Sequence, residues 1–266
     1  MTRSLLLLCL LLVGAGSVRA QPRSDVFLQD MTWTELRAAI QSGKTTIIVP
    51  IGGTEQNGPH MALGKHNARV HALSEKIAGA LGNALVAPVI AYVPEGNVDR
   101  PEGHLKFPGT ITVPEAAFEQ VLEYAARSFK LAGFHDIVFL GDHGGYQRAE
   151  KAVAERLDRD WAKTSIRAHA IGEYYLASQV QFPQLLKSRG YSEAVVGTHA
   201  GLADTSLLLA VEPQMVRMDR LKAAAGDSAD GVHGDPSQSS AALGQLGVDL
   251  VVTRTVAAVK AAIAED

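Results

Sequence analysis

The chain has 266 residues, with 25 Lys and Arg against 28 Asp and Glu and a formal net charge of −3 at pH 7. A hydrophobic content of 47% excludes a disordered chain and suffices for one large α/β domain. The mildly acidic balance, with no Lys/Arg block to neutralise phosphates, excludes nucleic acid as a partner, and a single cysteine, Cys9, excludes a disulfide scaffold.

In chain order, residues 1–20 read as a signal peptide. Arg3 supplies the positive start, Leu5 to Val13 an apolar run too short for a bilayer, and Val18-Arg19-Ala20 a cleavage site. The expectation is cleavage near Ala20, export to the periplasm or medium, and no stable membrane anchor. Cleavage removes Arg3, Arg19 and no acid, moving the charge from −3 to −5, and removes Cys9 as a nucleophile. The remaining 21–266 form one domain, since no repeat, linker or low-complexity tract divides them. Thr45–Ile51, Ala84–Ile90, Asp136–Gly141 and Ile166–Ile171 are short β-branched runs, apolar on both faces, and predict buried strands. Asn67–Leu81, Glu115–Ala132 (after Pro114) and Tyr146–Trp161 carry helical spacing. The alternation predicts an α/β fold with a mostly parallel sheet flanked by helices. The Gly-, Asp- and Ser-rich stretch 226–240 predicts an ordered loop before a last helix.

Polar clusters fall where loops leave strand ends, the usual place for sites in such sheets. The first holds Glu55, Asn57, His60 and His66 in a glycine-rich loop; carboxylate and imidazole suit Zn²⁺, Mn²⁺ or Fe²⁺, against the alternative of a solvated polar loop. The second is Asp142-His143-Gly144-Gly145, where His143 either enters a cleft or is exposed while Asp142 caps a helix. The third is HAGLADTS, residues 199–206, in which Asp204 or Thr205 either caps the following helix or joins His199 in chemistry.

These motifs resemble the creatininase family, the creatinine amidohydrolases. That family shows Glu-x-His-Gly-Pro-His-Leu-Pro-Leu-Gly-x-Asp, then Phe-Pro-Gly-Thr, Asn-Gly-His-Gly-Gly-Asn, His-Ala-Gly-x-x-Glu-Thr-Ser and a late Gly-Asp-Pro. This chain has EQNGPHMALGKH from Glu55 to His66, HLKFPGT from His104 to Thr110, GDHGGY from Gly141 to Tyr146, HAGLADTS from His199, and GDP at Gly234–Pro236. The resemblance implies a three-layer α/β fold, a homo-oligomer, a small-molecule amide substrate and a metal centre. Glu55 and His143 match family ligands. Asn57 stands where the family has its first His, His66 where it has a bridging Asp, and Gly145 where creatininase has a further acid. One imidazole nitrogen cannot bridge two cations as a carboxylate can. The expectation is therefore one divalent ion, zinc ahead of manganese or iron, on Glu55, His66 and His143, with Asp142 orienting His143 from behind.

The resemblance further implies hydrolysis of a C–N bond, with His199 as proton shuttle and Asp204 orienting His199 or holding substrate nitrogen. Trp161, Tyr174 and Tyr175 are candidates to enclose a small ring. Three alternatives stand beside it: a facial-triad iron enzyme, a non-catalytic exported binding protein, and a binuclear hydrolase that recruits Asp142, His60 or His104.

Overall fold

The computed structural model describes residues 25–225 and 228–264; the expected signal segment and its cleavage site lie outside the described residues. Four strands, β1 (Thr46–Ile51), β2 (Ala84–Val86), β3 (Asp136–Gly141) and β4 (Arg167–Ala170), form a wholly parallel sheet in the order β2-β1-β3-β4. Helices α1 (Trp33–Gln41), α2 (Lys65–Leu81), α3 (Glu115–Ala132) and α4 (Gln147–Trp161) precede a helical C-terminal half: α5 (Gly172–Leu176), α6 (Phe182–Ser188), α7 (Glu193–Val196), α8 (Leu202–Val211) and α9 (Ala241–Ala264). Among the described residues, no helix is long and apolar enough to cross a membrane.

Alternation along the strands builds the two cores. Ile47, Val49, Ile51, Ile137 and Phe139 face one way and pack with Phe118 and Leu122 of α3 and Val153, Leu157 and Trp161 of α4. Ile48, Val138 and Leu140 face the other and pack with Val70, Leu73 and Ile77 of α2, Tyr174 of α5, Phe182 of α6, and Val248 and Val251 of α9. The result is the expected three-layer arrangement, helices on both faces of a parallel sheet.

The predicted strand over 84–90 closes early. Its ladder to β1 ends at Ile48 and Val86, with only an isolated bridge between Ile51 and Ile90 beyond it. Pro50 and Pro88 have no N–H to extend the pairing there. Helix α3 has its expected bounds, while α2 begins two residues earlier, so that His66 stands in its first turn.

The connection from β1 runs through α2 to β2 at one side of the sheet, and the next crossover, through α3, returns to β3 on the other side of β1. Sheet order thus reverses between β1 and β3. Loops leaving neighbouring strands diverge at such a point and leave a crevice at the carboxyl edge. The loop carrying Glu55 follows β1, and Asp142-His143 follows β3.

Candidate metal centre

The two loops at the crevice are tied together by Tyr146. Its buried hydroxyl lies 2.8 and 2.6 Å from the carbonyls of Ile51 and Gly52, to which it donates, and it accepts from the N–H groups of Asp142 and His143 at 3.1 and 3.0 Å. Glu55 and His143 are fixed relative to one another by this staple. Above it opens a cleft of about 810 Å³ lined by Gln56, Lys65, His66, His104, His143, Tyr175 and His199 among others.

Glu55 sits at the floor, fully buried. Its Oε1 is 2.7 Å from His66 Nε2, 3.5 Å from Lys65 Nζ and 3.8 Å from His199 Nδ1. Its Oε2 has no hydrogen-bond partner, although the Nε2 atoms of His104 and His143 each come to 3.5 Å. Among the described residues, two groups therefore have the spacing for an ion, Glu55–His66–His143 and Glu55–His104–His199; in each, one ligand atom per residue lies within 4.8 Å of the others. The expected trio does meet, and a second trio shares its carboxylate. An unpartnered, buried carboxylate oxygen facing imidazole nitrogens fits a divalent cation.

Behind this floor is a network of buried ions. Arg69, one turn along α2 from His66, donates through Nε to both Asp142 oxygens at 3.1 and 2.9 Å and through Nη1 to Asp204 Oδ1 at 2.8 Å. Lys65 Nζ donates to Asp204 Oδ2 at 3.2 Å. Tyr174 donates to Asp142 at 2.7 Å. Burial would raise the Asp204 and Asp142 carboxyls, but Lys65 and Arg69 at Asp204, and Arg69 with His66 at Asp142, outweigh it and hold both below the usual range. Glu55 is likewise held far below its ordinary value: burial is overcome by His66, then Lys65 and His143.

Several expected roles are corrected by this geometry. Asp142 lies 2.6 Å from His66 Nδ1, so it orients His66 rather than His143. Asp204 takes Lys65, Arg69 and the N–H of Ala200, not His199; the Nε2 of His199 instead faces Gln56, 3.0 Å from its carbonyl. Asn57 spends its amide on the carbonyls of Glu55 and Ala62, shaping the loop. His60 lies 3.0 Å from Thr205 Oγ1 and belongs to neither ligand group. Of the expected aromatics, Tyr174 is occupied by Asp142 and Trp161 is buried in the far core under Lys130, which leaves Tyr175 on the cleft.

Glu95 is a residue that sequence reasoning missed. Its Oε1, unpartnered by hydrogen bonds, lies 3.5 Å from His143 Nδ1, and burial, with Glu55 adding repulsion, pushes its carboxyl up to about 8. Its only mark in the sequence is a Pro-Glu-Gly triplet. Burial lowers His143 to about 4 and His199 to about 3, with His66 next for the former and Lys65 for the latter, and burial also lowers His104. All three rings are neutral at pH 7 and so can offer lone pairs.

Comparison with known proteins follows the same lines. A family model described as creatinine amidohydrolase matches residues 29–259. The chain is 26% identical over 203 residues to the creatinine amidohydrolase of Pseudomonas putida, covering 74% of this chain and 76% of that one. It is 28% identical over 227 residues to a mycofactocin precursor peptide peptidase of Mycolicibacterium smegmatis, covering 75% and 78%. A solved structure described as "Creatininase Mn" superposes with a TM-score of 0.72 at 23% identity, over 90% of this chain and 98% of that one, which bears on the fold.

Proposed function

The chain belongs to the creatininase family, and from that premise we propose that it is a metal-dependent hydrolase of the C–N bond in a small amide or cyclic amide. The observation that carries this reading is the Glu55–His66–His143 group, whose ligand atoms lie within 4.8 Å of one another around a Glu55 Oε2 that no hydrogen bond occupies. Glu55, His66 and His143 would hold one divalent ion, zinc ahead of manganese or iron. Asp142 already grips the outer nitrogen of His66, and the ring of His143 is oriented by the N–H of Gly145, which its Nδ1 accepts at 3.2 Å, with Glu95 beside it. A divalent ion in such a setting supplies Lewis-acid polarisation of the carbonyl and a water that ionises near neutral pH.

The chain's own residues supply the rest. His199, with Nδ1 turned to Glu55, carries a proton from water to the leaving nitrogen. Asp204 and Asp142, held ionised by Lys65 and Arg69, balance those two cations and leave the Glu55 carboxylate as the uncompensated negative charge of the floor. Tyr175 borders the substrate's space. The N-terminal segment supports export, and the family supports a homo-oligomer.

Metal analysis of the purified protein tests the reading. One equivalent per chain is expected, with hydrolysis on a panel of small amides and lactams that is lost to chelation and regained with zinc. His143→Ala should lose both metal and turnover; full metal content in that variant would remove His143 from the ligand set.

A further inference from the structure

The second trio, Glu55–His104–His199, has the spacing of a metal position, but spacing does not say which nitrogens carry hydrogen. Gln56, the residue beside Glu55, answers that. Its amide cannot be turned round: Oε1 accepts the N–H of Gly58 at 2.9 Å and Nε2 donates to the carbonyl of Gly231 at 3.0 Å. Reversal would set donor against donor and acceptor against acceptor. Gly231, at φ +77, makes this close approach possible, since a Cβ there would lie 2.3 Å from Gln56 Oε1.

An amide nitrogen has two hydrogens. One goes to Gly231, and the other to the nearest remaining acceptor, His104 Nδ1 at 2.7 Å. His104 therefore accepts at Nδ1 and carries its hydrogen on Nε2, the atom that faces Glu55 Oε2. No hydrogen of Gln56 is left for His199 Nε2 at 3.2 Å, so that nitrogen holds its own hydrogen and gives it to the Gln56 carbonyl at 3.0 Å. His199 then turns the lone pair of Nδ1 toward the cleft floor.

We propose that Gln56 sorts the two cleft histidines by tautomer, so that His199 presents a lone pair and His104 an N–H, and the Glu55–His104–His199 trio is not a second metal position. Gln56 is a positioning residue acting through both rings. In the hydrolase reading, on which the consequence for turnover rests, His199 accepts the proton of the attacking water, while the His104 N–H donates to oxygen on the substrate carbonyl. Both nitrogens stay available because neither is spent on an ion.

Long-range ¹H–¹⁵N correlation of the zinc-loaded, ¹⁵N-histidine-labelled protein reads the hydrogen on each ring, with His104→Gln and His199→Gln assigning the signals. Both rings should carry hydrogen on Nε2. Gln56→Glu replaces the donor with an acceptor and should move the His104 hydrogen to Nδ1. His199 should not change, because its partner is the backbone carbonyl. Hydrogen on His104 Nδ1 in the unsubstituted protein overturns the proposal, as does an unmoved His104 in Gln56→Glu. The unsubstituted protein decides even if that variant does not fold. Two zinc equivalents per chain, with His104 and His199 signals both shifted by metal, would also overturn it. Absence of amide hydrolysis with the expected tautomers would instead remove the hydrolase reading and leave the hydrogen placement intact.

Discussion

Lys65 and Arg69 illustrate why part of the site escaped sequence reasoning. Long cations near a helix start ordinarily read as a solvated face, yet both are buried and reach Asp204, on a helix about 140 residues further along the chain. No local spacing announces such a pair. Glu55, His66 and His143 were legible because loop ends of a parallel sheet and the family motifs single them out, and the structure brings them to one floor. The roles of Asp142 and Asp204 were not legible: neighbours in sequence suggested His143 and His199, whereas partners in space are His66 and the two cations. His199→Ala tests the proton-transfer role directly. Metal content should stay at the native level while kcat falls by about 10²-fold; unchanged kcat would end that assignment.

At the level of elements, periodicity located α3 to the residue, and the strands to within their central residues, because each must bury a continuous apolar face. It failed where proline chemistry intervened, as in the shortened β2, and it set the start of the helix expected after residues 204–205 too late: α8 begins at Leu202, so Asp204 and Thr205 lie inside it rather than cap it, and it is buried almost all round. A helix without a polar face carries no amphipathic signal. Its neighbour α9 meets it through glycine: a Cβ on Gly244 would lie 1.8 Å from the Ser206 carbonyl oxygen. Gly244→Ala should therefore cost about 1–3 kcal/mol through forced separation of the helices, visible as a Tm several degrees lower. An unshifted Tm would mean the two backbones are not in contact in solution.

For the whole molecule, the chemistry-bearing loops gather where strand order reverses between β1 and β3, and this placement was implicit in the alternating pattern once parallel pairing was assumed. A second titratable centre lies behind the Tyr146 staple. Glu150 of α4 is buried against Gly141, with Oε2 lacking a hydrogen-bond partner, and burial pushes its carboxyl up to about 8 from an ordinary 4.5. The folded chain then holds a proton that the unfolded chain releases, so stability falls as pH rises from about 4.5 to about 8 and levels above that. Glu150→Gln should remove this loss. The difference in Tm between variant and parent should be small at pH 4.5 and widen up to about pH 8; a gap independent of pH would show that Glu150 ionises freely in the fold.

The seating of α9 on α8 links the end of the chain to the cleft floor. None of the cleft-lining residues named above lies on α9, yet this helix braces the short helix from which Asp204 anchors Lys65 and Arg69. Loosening that seat, as Gly244→Ala does, would thus blunt metal retention from a distance, without touching a single side chain in the crevice.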